Sequence, residues 1–192
     1  TKNEIKIIGD KSLSKRDFYR VTIPLKKFGA KFKTNSGKLP IIIRGTNLPH
    51  PISYNETKGS AQCKSAIMLA ALNTKGETII RAKKSRNHTE LLFKHLKLDT
   101  KINKKKYIDI IKIRGKKNIR AFNYKIPSDI SSSAFFIVLT ALSKNSKLKI
   151  KDININPTRF GIVKILRLMG VKIHFENTRI YKGEKIADIL IV

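Results

Sequence analysis

Three arginines precede predicted helices at almost regular intervals. Arg16, Arg86 and Arg159 lie 70 and 73 residues apart. A guanidinium is a planar fork that can bind a carboxylate or a phosphate through two parallel hydrogen bonds. The start of a helix adds unpaired N–H donors and the positive end of the helix dipole. From the residues alone, the preferred interpretation is an ordinary surface arginine at a helix start, and binding of a small anion is the alternative.

A second candidate anion site is the start of the helix predicted over Ser60–Leu72. The Ser60 hydroxyl can cap this helix, and it can also hold a phosphate together with the first N–H groups, including that of Ala61. Capping alone explains the serine but not Gln62, whose amide can donate to a substrate. Cys63, the one cysteine, is interpreted as a small buried hydrophobic residue. One cysteine and four scattered histidines predict no zinc-like cluster.

Three polar residues follow Arg86, namely His88, Thr89 and Glu90. The preferred interpretation is structural, because Thr89 and Glu90 suit the cap and the first turn of a helix. The alternative is an acid/base pair formed by His88 and Glu90.

Two further polar positions are predicted to start helices. Asp129 or Ser131 can cap the apolar helix that ends at Leu142, and Asn156–Thr158 has the composition of a turn and cap. These interpretations are structural, and a share in a binding cleft is the alternative for Asp129.

The predicted elements form a repeat. Pro51–Gly115 and Asn118–Val192 each contain the order β-α-β-α-β-β, and Thr1–Gly45 contains only the latter half of such a unit. The strand that opens the second full unit is predicted over Asn118–Ile126. Because the chain starts in the middle of a unit, we expect it to be cut from a longer protein, at least at its N-terminus.

The fold class expected from this order is α/β (α+β). The helices predicted over Ser60–Leu72 and Ser131–Leu142 are apolar nearly all round, as buried helices are. The remaining helices carry one apolar stripe and a basic face. We therefore expect sheets on the outside and the two apolar helices at the centre.

The charge is the most unusual feature of the composition. The 192 residues include 42 Lys and Arg against 13 Asp and Glu, a formal net charge of +29. Such an excess suits an enzyme of anionic substrates or a nucleic-acid-binding module, and the third interpretation is a diffuse surface background. No apolar run approaches the roughly 20 residues that span a bilayer, so we expect no membrane segment. A single cysteine agrees with a reducing, cytoplasmic location.

Five motifs together resemble one family. They are GDKSLSKR at 9–16, SAQCKSAIMLAAL at 60–72, SRNHTELL at 85–92, IPSDISSSAFF at 126–136 and NPTRFGI at 156–162. The chain resembles the EPSP synthases, particularly the bacterial class II, in which these motifs occur in this order. The resemblance implies two domains, each built from three β-α-β-α-β-β units. Residues 1–126 would finish the first domain and residues 127–192 would begin the second, so that both are incomplete here.

The resemblance also implies a reaction and a set of ligands. EPSP synthases transfer the carboxyvinyl group of phosphoenolpyruvate to shikimate 3-phosphate, without a metal or an organic cofactor. Arg16 would bind phosphoenolpyruvate, Gln62 would lie between the two substrates, and Ser60, Ala61 and Arg86 would bind the shikimate phosphate. The family's acid/base residues match no position in this chain, so we expect no catalytic residue within it and no activity from it alone. The implied partners are small molecules only, with a monomeric full-length enzyme.

Two departures from the family pattern and two rival interpretations remain. Asp17 replaces the proline common after the motif arginine, and Ser128 replaces a glycine before Asp129. One rival is a UDP-N-acetylglucosamine enolpyruvyl transferase of the same fold, which the SAQ, HTE and NPTR elements disfavour. The other is the nucleic-acid-binding module, which only the charge favours, since no recognised nucleic-acid-binding motif is present.

Overall fold

The computed structural model describes residues 3–115 and 119–192. These residues contain five α-helices and ten β-strands. The helices are α1 (Tyr19–Lys27), α2 (Ala61–Leu72), α3 (His88–His95), α4 (Ile130–Leu142) and α5 (Gly161–Leu168). The strands are β1 (Glu4–Ile7), β2 (Lys31–Asn35), β3 (Lys38–Arg44), β4 (Ser53–Glu56), β5 (Glu77–Lys83), β6 (Thr100–Lys104), β7 (Ile108–Arg114), β8 (Leu148–Asn154), β9 (Ile173–Tyr181) and β10 (Glu184–Ile191). Short 3-10 helices cover Leu13–Lys15 and Pro157–Arg159.

The chain divides into two compact units. The first comprises Thr1–Ser85 and Lys97–Ile119, and the second comprises Arg86–Leu96 and Arg120–Val192. Helix α3 therefore belongs to the second unit, although the strands before and after it in the sequence belong to the first. The domain boundary predicted after residue 126 stays a prediction.

Three sheets repeat the same topology. Their strand orders are β1-β3-β2, β5-β7-β6 (with β4 added beside β5) and β8-β10-β9. In each, the last strand of the segment lies in the centre and pairs antiparallel with the other two. The predicted repeat of strand, helix and two strands is thus confirmed within the described residues. So is the full β-α-β-α-β-β unit over Pro51–Gly115, in which β4 adds to β5 as a parallel neighbour.

The predicted strand over Asn118–Ile126 is wrong for residues 119–126, which form no strand. Asn118, like Thr1 and Lys2, lies outside the described residues. A strand needs a neighbouring strand as partner, and at Lys125 the N–H donates to the Tyr181 hydroxyl at 3.0 Å instead. In the first full unit, β4 pairs parallel with β5. At the corresponding place in the second unit, the structure has one isolated parallel bridge, between Ser128 and Ile153.

Helix α2 is the centre of the first unit. It begins after Ser60 and ends at Leu72, as predicted. It contacts helix α1 and strands β5 and β7, and Ile67 and Met68 are fully buried in these contacts. The prediction of a buried helix is confirmed for the face that carries Cys63, Lys64, Ile67, Met68 and Ala71, whereas Gln62 and Leu69 are exposed.

Helix α4 departs from the prediction of a helix buried all round. One of its faces joins the second unit's core through Ile130 and Ile137, which pack with residues of β8 and β10. The opposite face is exposed, with Phe135 78% and Phe136 61% accessible. An all-round apolar helix needs neighbours on every side, and the described residues cover only one side of α4.

Among the described residues, none of the helices combines the length and the hydrophobicity needed to cross a membrane.

Candidate functional site

Arg16 lies where an arginine at a helix start was predicted. It follows the 3-10 helix Leu13–Lys15, its N–H donates to the Leu13 carbonyl at 3.1 Å, and the residue is exposed. Asp17, the departure from the family pattern, accepts a hydrogen bond from the Tyr19 N–H at 2.7 Å. Its carboxylate is thereby engaged at the first turn of α1, where a negative charge is stabilised by the helix dipole. The arginine remains open to solvent and able to bind an anion.

Ser60 performs the capping role that was the simpler of its two interpretations. Its hydroxyl oxygen accepts from the Cys63 N–H at 3.2 Å. The hydroxyl hydrogen stays available as a donor, and the N–H groups of Ala61 and Gln62 precede the first intrahelical hydrogen bonds. Gln62 is exposed at the first turn. The start of α2 can therefore cap itself and still offer donors to a phosphate.

Cys63 is buried, as predicted. Burial raises the pKa of its thiol to about 11, the nearby charge of Glu56 acts in the same direction, and a hydrogen bond with Tyr54 opposes both. A thiol with so high a pKa is protonated at neutral pH and is a poor nucleophile. Cys63 is therefore a packing residue of α2.

Arg86 is exposed and begins the segment that carries α3. The two residues after it are held by distant side chains. His88 Nδ1 lies 2.6 Å from Glu184 Oε1, and Asn87 Oδ1 accepts from Asn156 Nδ2 at 2.8 Å. Glu90 lies in the first turn of α3, as predicted. The partner of His88 Nδ1 is thus Glu184, 96 residues away, and the alternative of an acid/base pair formed by His88 and Glu90 stays an interpretation.

Arg159 differs from the other two arginines because its guanidinium is engaged. It forms an ion pair with Asp129 at 2.7 Å and donates to the Ser131 hydroxyl at 2.5 Å. Asp129 also accepts from the N–H groups of Ser131 and Ser132, which confirms it as the cap of α4. Arg159 therefore stabilises a helix start within the second unit.

Asn156 confirms the predicted turn and has a further role. Its Oδ1 accepts from the Thr158 N–H at 2.9 Å and from the Thr158 hydroxyl at 2.7 Å. Its Nδ2 donates to Asn87 and, at 3.3 Å, to Glu184 Oε2. The composition of the NPTR turn predicts the first set of contacts, whereas nothing local in the sequence predicts the second.

The structure places the candidate ligands in two groups. Arg16, Ser60, Ala61 and Gln62 belong to the first unit, where helices α1 and α2 contact each other. Arg86 belongs to the second unit. Across the described part of the chain, no three His, Cys, Asp or Glu side chains gather where they could hold a metal ion.

Several carboxylates of the second unit have a lowered pKa. Hydrogen bonds from Lys125 and Arg179 lower the pKa of Asp152. Burial by itself would raise the pKa of Glu184, but hydrogen bonds from His88 and the neighbouring asparagines outweigh it and hold this pKa below its usual range. The pKa values of Asp129 and Asp188 are lowered as well.

These shifts predict acid sensitivity of the fold. A carboxylate whose pKa is lower in the folded state stabilises the fold above its unfolded pKa and loses that contribution as the pH falls through its folded pKa. We expect the free energy of unfolding to decline below about pH 4.5, where unfolded carboxylates begin to protonate, as measured by urea titration. Asp152→Asn should shrink this acid-induced decline. An unchanged decline in that variant would contradict the role assigned to Asp152.

Comparison with known proteins decides the family. A sequence profile of EPSP synthase (3-phosphoshikimate 1-carboxyvinyltransferase) matches residues 1–191. The chain belongs to the EPSP synthase family. It is 41% identical over 191 residues to the 3-phosphoshikimate 1-carboxyvinyltransferase of Ruthia magnifica subsp. Calyptogena magnifica, covering 99% of this chain and 43% of that relative. It is also 43% identical over 189 residues to the enzyme of that name from Petrotoga mobilis, covering 96% and 43%.

The solved structures agree with this assignment. An EPSP synthase from Acinetobacter baumannii superimposes with a TM-score of 0.79 at 37% identity, covering 99% of this chain and 42% of that one. The fold class expected from the five motifs is thereby confirmed. The chain spans a little over two fifths of the length of the EPSP synthases it matches.

Proposed function

We propose that this chain is the substrate-binding part of an enzyme that transfers the carboxyvinyl group of phosphoenolpyruvate to shikimate 3-phosphate. The observation that carries the proposal is the match, over 99% of the chain, to a relative named 3-phosphoshikimate 1-carboxyvinyltransferase. Two exposed arginines and a helix start with unpaired donors are the groups that such anionic substrates need. The names of these relatives also disfavour the rival UDP-N-acetylglucosamine enolpyruvyl transferase. We place the enzyme in the cytoplasm.

The reaction makes distinct demands on the protein. The methylene carbon of the enol phosphate in phosphoenolpyruvate gains a proton while the shikimate hydroxyl oxygen bonds to the phosphate-bearing carbon and gives up its own proton to a base. The resulting tetrahedral adduct then loses phosphate from that carbon and a proton from the new methyl group, which forms the enol ether of the product. Proton transfer needs positioned acid and base groups, and we expect these to be supplied by residues other than those of this chain. The residues present bind and orient the substrates, which lowers the entropic cost of bringing two anions together.

Individual roles follow from the exposed groups. Arg16 binds phosphoenolpyruvate through its guanidinium fork, and Gln62 donates its amide to both substrates. The Ser60 hydroxyl and the N–H of Ala61 bind the phosphate of shikimate 3-phosphate at the start of α2. Arg86 is assigned to the same phosphate by the family resemblance.

The 192-residue chain should therefore bind the substrates but not catalyse their reaction. We expect shikimate 3-phosphate to shift the amide resonances of Ser60, Ala61 and Gln62 in an NMR titration. We expect no release of inorganic phosphate when phosphoenolpyruvate is added as well. Turnover that depends on both substrates would contradict the assignment of the acid/base groups, and a titration without shifts at the start of α2 would contradict the assignment of the phosphate site.

A further inference from the structure

The first residues of α3 are held by one buried carboxylate. Glu184 accepts from His88 Nδ1 at 2.6 Å through one oxygen and from Asn156 Nδ2 at 3.3 Å through the other. The same Asn156 amide donates to Asn87 Oδ1 at 2.8 Å. Glu184 thus fixes His88 directly and Asn87 through Asn156. Both of these residues follow immediately after Arg86.

Burial of the Glu184 carboxylate has a free-energy cost. Glu184 is only 5% exposed, and a buried carboxylate is strongly destabilising unless it is paired and hydrogen-bonded. Its neighbours meet that requirement and keep it ionised, since its pKa is lowered in spite of burial. An ionised Glu184 can only accept, so His88 Nδ1 must carry the hydrogen. An apolar residue at this position would pack β10 without such a network, which points to a role beyond stability.

The turn that precedes Glu184 lies against α3. Lys182 and Gly183 join β9 to β10 with φ of 46° and 91°, as a two-residue type I′ turn requires. A Cβ at Gly183 would lie 2.8 Å from the Leu91 carbonyl oxygen, so only glycine permits this approach. The helix therefore contacts Glu184 at its start and the turn along its side.

Arg86 is the exposed residue that this arrangement places. Its Cα is one residue, about 3.8 Å, from that of Asn87, and its side chain is open to solvent. Its backbone is thus anchored through its neighbours while its guanidinium stays available. A functional arginine with a fixed base loses less entropy when it binds than one on a mobile segment.

We propose that Glu184 is a positioning residue that, through His88 and the Asn156–Asn87 contact, holds Arg86 in place to bind a substrate phosphate. The inference rests on the proposed function, in which Arg86 binds shikimate 3-phosphate. The β9–β10 turn thereby gains a role in substrate affinity. The sequence gives no sign of this role, because the turn is far along the chain from the motifs that bind anions.

The test measures binding of shikimate 3-phosphate to the 192-residue chain by NMR, following the Nε–H resonance of Arg86. Glu184→Gln should weaken binding roughly fivefold, within the range for directly coupled residues. The direction of the change in affinity distinguishes positioning from charge, because removing a negative charge would by electrostatics alone strengthen the binding of an anion. Glu176→Gln removes the same charge from an exposed ion pair with Lys149, and this matched control should not weaken binding.

A double-mutant cycle separates positioning from a general effect on folding. In an Arg86→Ala background, Glu184→Gln should change the dissociation constant by less than about twofold, because the group through which it acts is gone. An equal effect in both backgrounds, or no effect in either, would overturn the inference. If the Arg86 resonance of the unchanged chain does not respond to the ligand, then the assignment of Arg86 itself is wrong.

A second variant covers the case in which Glu184→Gln does not fold, as judged by its melting curve. Asn87→Ala removes the contact with Asn156 and leaves the His88–Glu184 pair in place. It should weaken binding in the same direction by about twofold or more. Unchanged affinity in this variant would also overturn the inference.

Discussion

Gly115→Ala should lower the melting temperature of the chain by roughly 2–12 °C. A Cβ at this position would lie 2.0 Å from the Ala71 carbonyl oxygen and 2.4 Å from that of Thr74. Both are backbone atoms at the end of α2 and cannot rotate away, so either β7 or α2 must shift. Overpacking of this kind costs about 1–3 kcal/mol, and 1 kcal/mol corresponds to roughly 2–4 °C in a protein of this size.

Gly161→Ala is the matched control for this change. A Cβ at Gly161 would meet nothing within 4 Å, and alanine has the higher helix propensity at the start of α5. We expect its melting temperature to be unchanged or slightly raised. If calorimetry showed Gly115→Ala to be as stable as Gly161→Ala, the close approach of β7 to the end of α2 would be wrong.

Arg16→Lys should reduce kcat/KM for phosphoenolpyruvate by roughly 10- to 100-fold. The variant keeps the positive charge but loses the planar fork, so a bidentate contact becomes a single one. Charge-assisted hydrogen bonds contribute about 1.5–3 kcal/mol, and about 1.4 kcal/mol corresponds to tenfold. The measurement uses a chimera in which this chain replaces the matching segment of the Acinetobacter baumannii EPSP synthase, assayed by steady-state phosphate release.

Two further variants serve as comparisons for Arg16→Lys. Arg20→Lys alters another exposed arginine close by in α1 and should leave the kinetics unchanged. Gln62→Ala should instead impair the use of both substrates, since its amide is proposed to lie between them. Normal turnover by Arg16→Lys, with an unchanged melting curve, would show that Arg16 is only a surface charge at a helix start.

The order of elements could be predicted from the sequence because local signals were strong. Ser60 and Asp129 are good caps before apolar runs, and both cap helices in the structure. The repeat of strand, helix and two strands was visible in the spacing of these signals. The strand expected over Asn118–Ile126 is wrong for residues 119–126, because strand formation depends on a partner strand and the Lys125 N–H donates instead to the Tyr181 hydroxyl.

The candidate site could be predicted only where a motif carried it. Motifs located Arg16, Ser60, Ala61, Gln62 and Arg86, whose roles as ligands stay proposals. The pairs His88–Glu184 and Asn87–Asn156 join residues 96 and 69 positions apart, and no periodicity or local spacing connects them. One local signal could have indicated the turn: Gly183 stands between two β-rich runs, and glycine adopts the positive φ that a tight hairpin turn needs.

Phosphate release by the chimera tests the central proposal most directly. If this chain supplies the substrate-binding residues of a carboxyvinyl transferase, the folded chimera should release phosphate only when shikimate 3-phosphate and phosphoenolpyruvate are both present. The 192-residue chain alone should release none under the same conditions. A chimera that folds, as shown by its melting curve, yet binds neither substrate and releases no phosphate would contradict the proposed function.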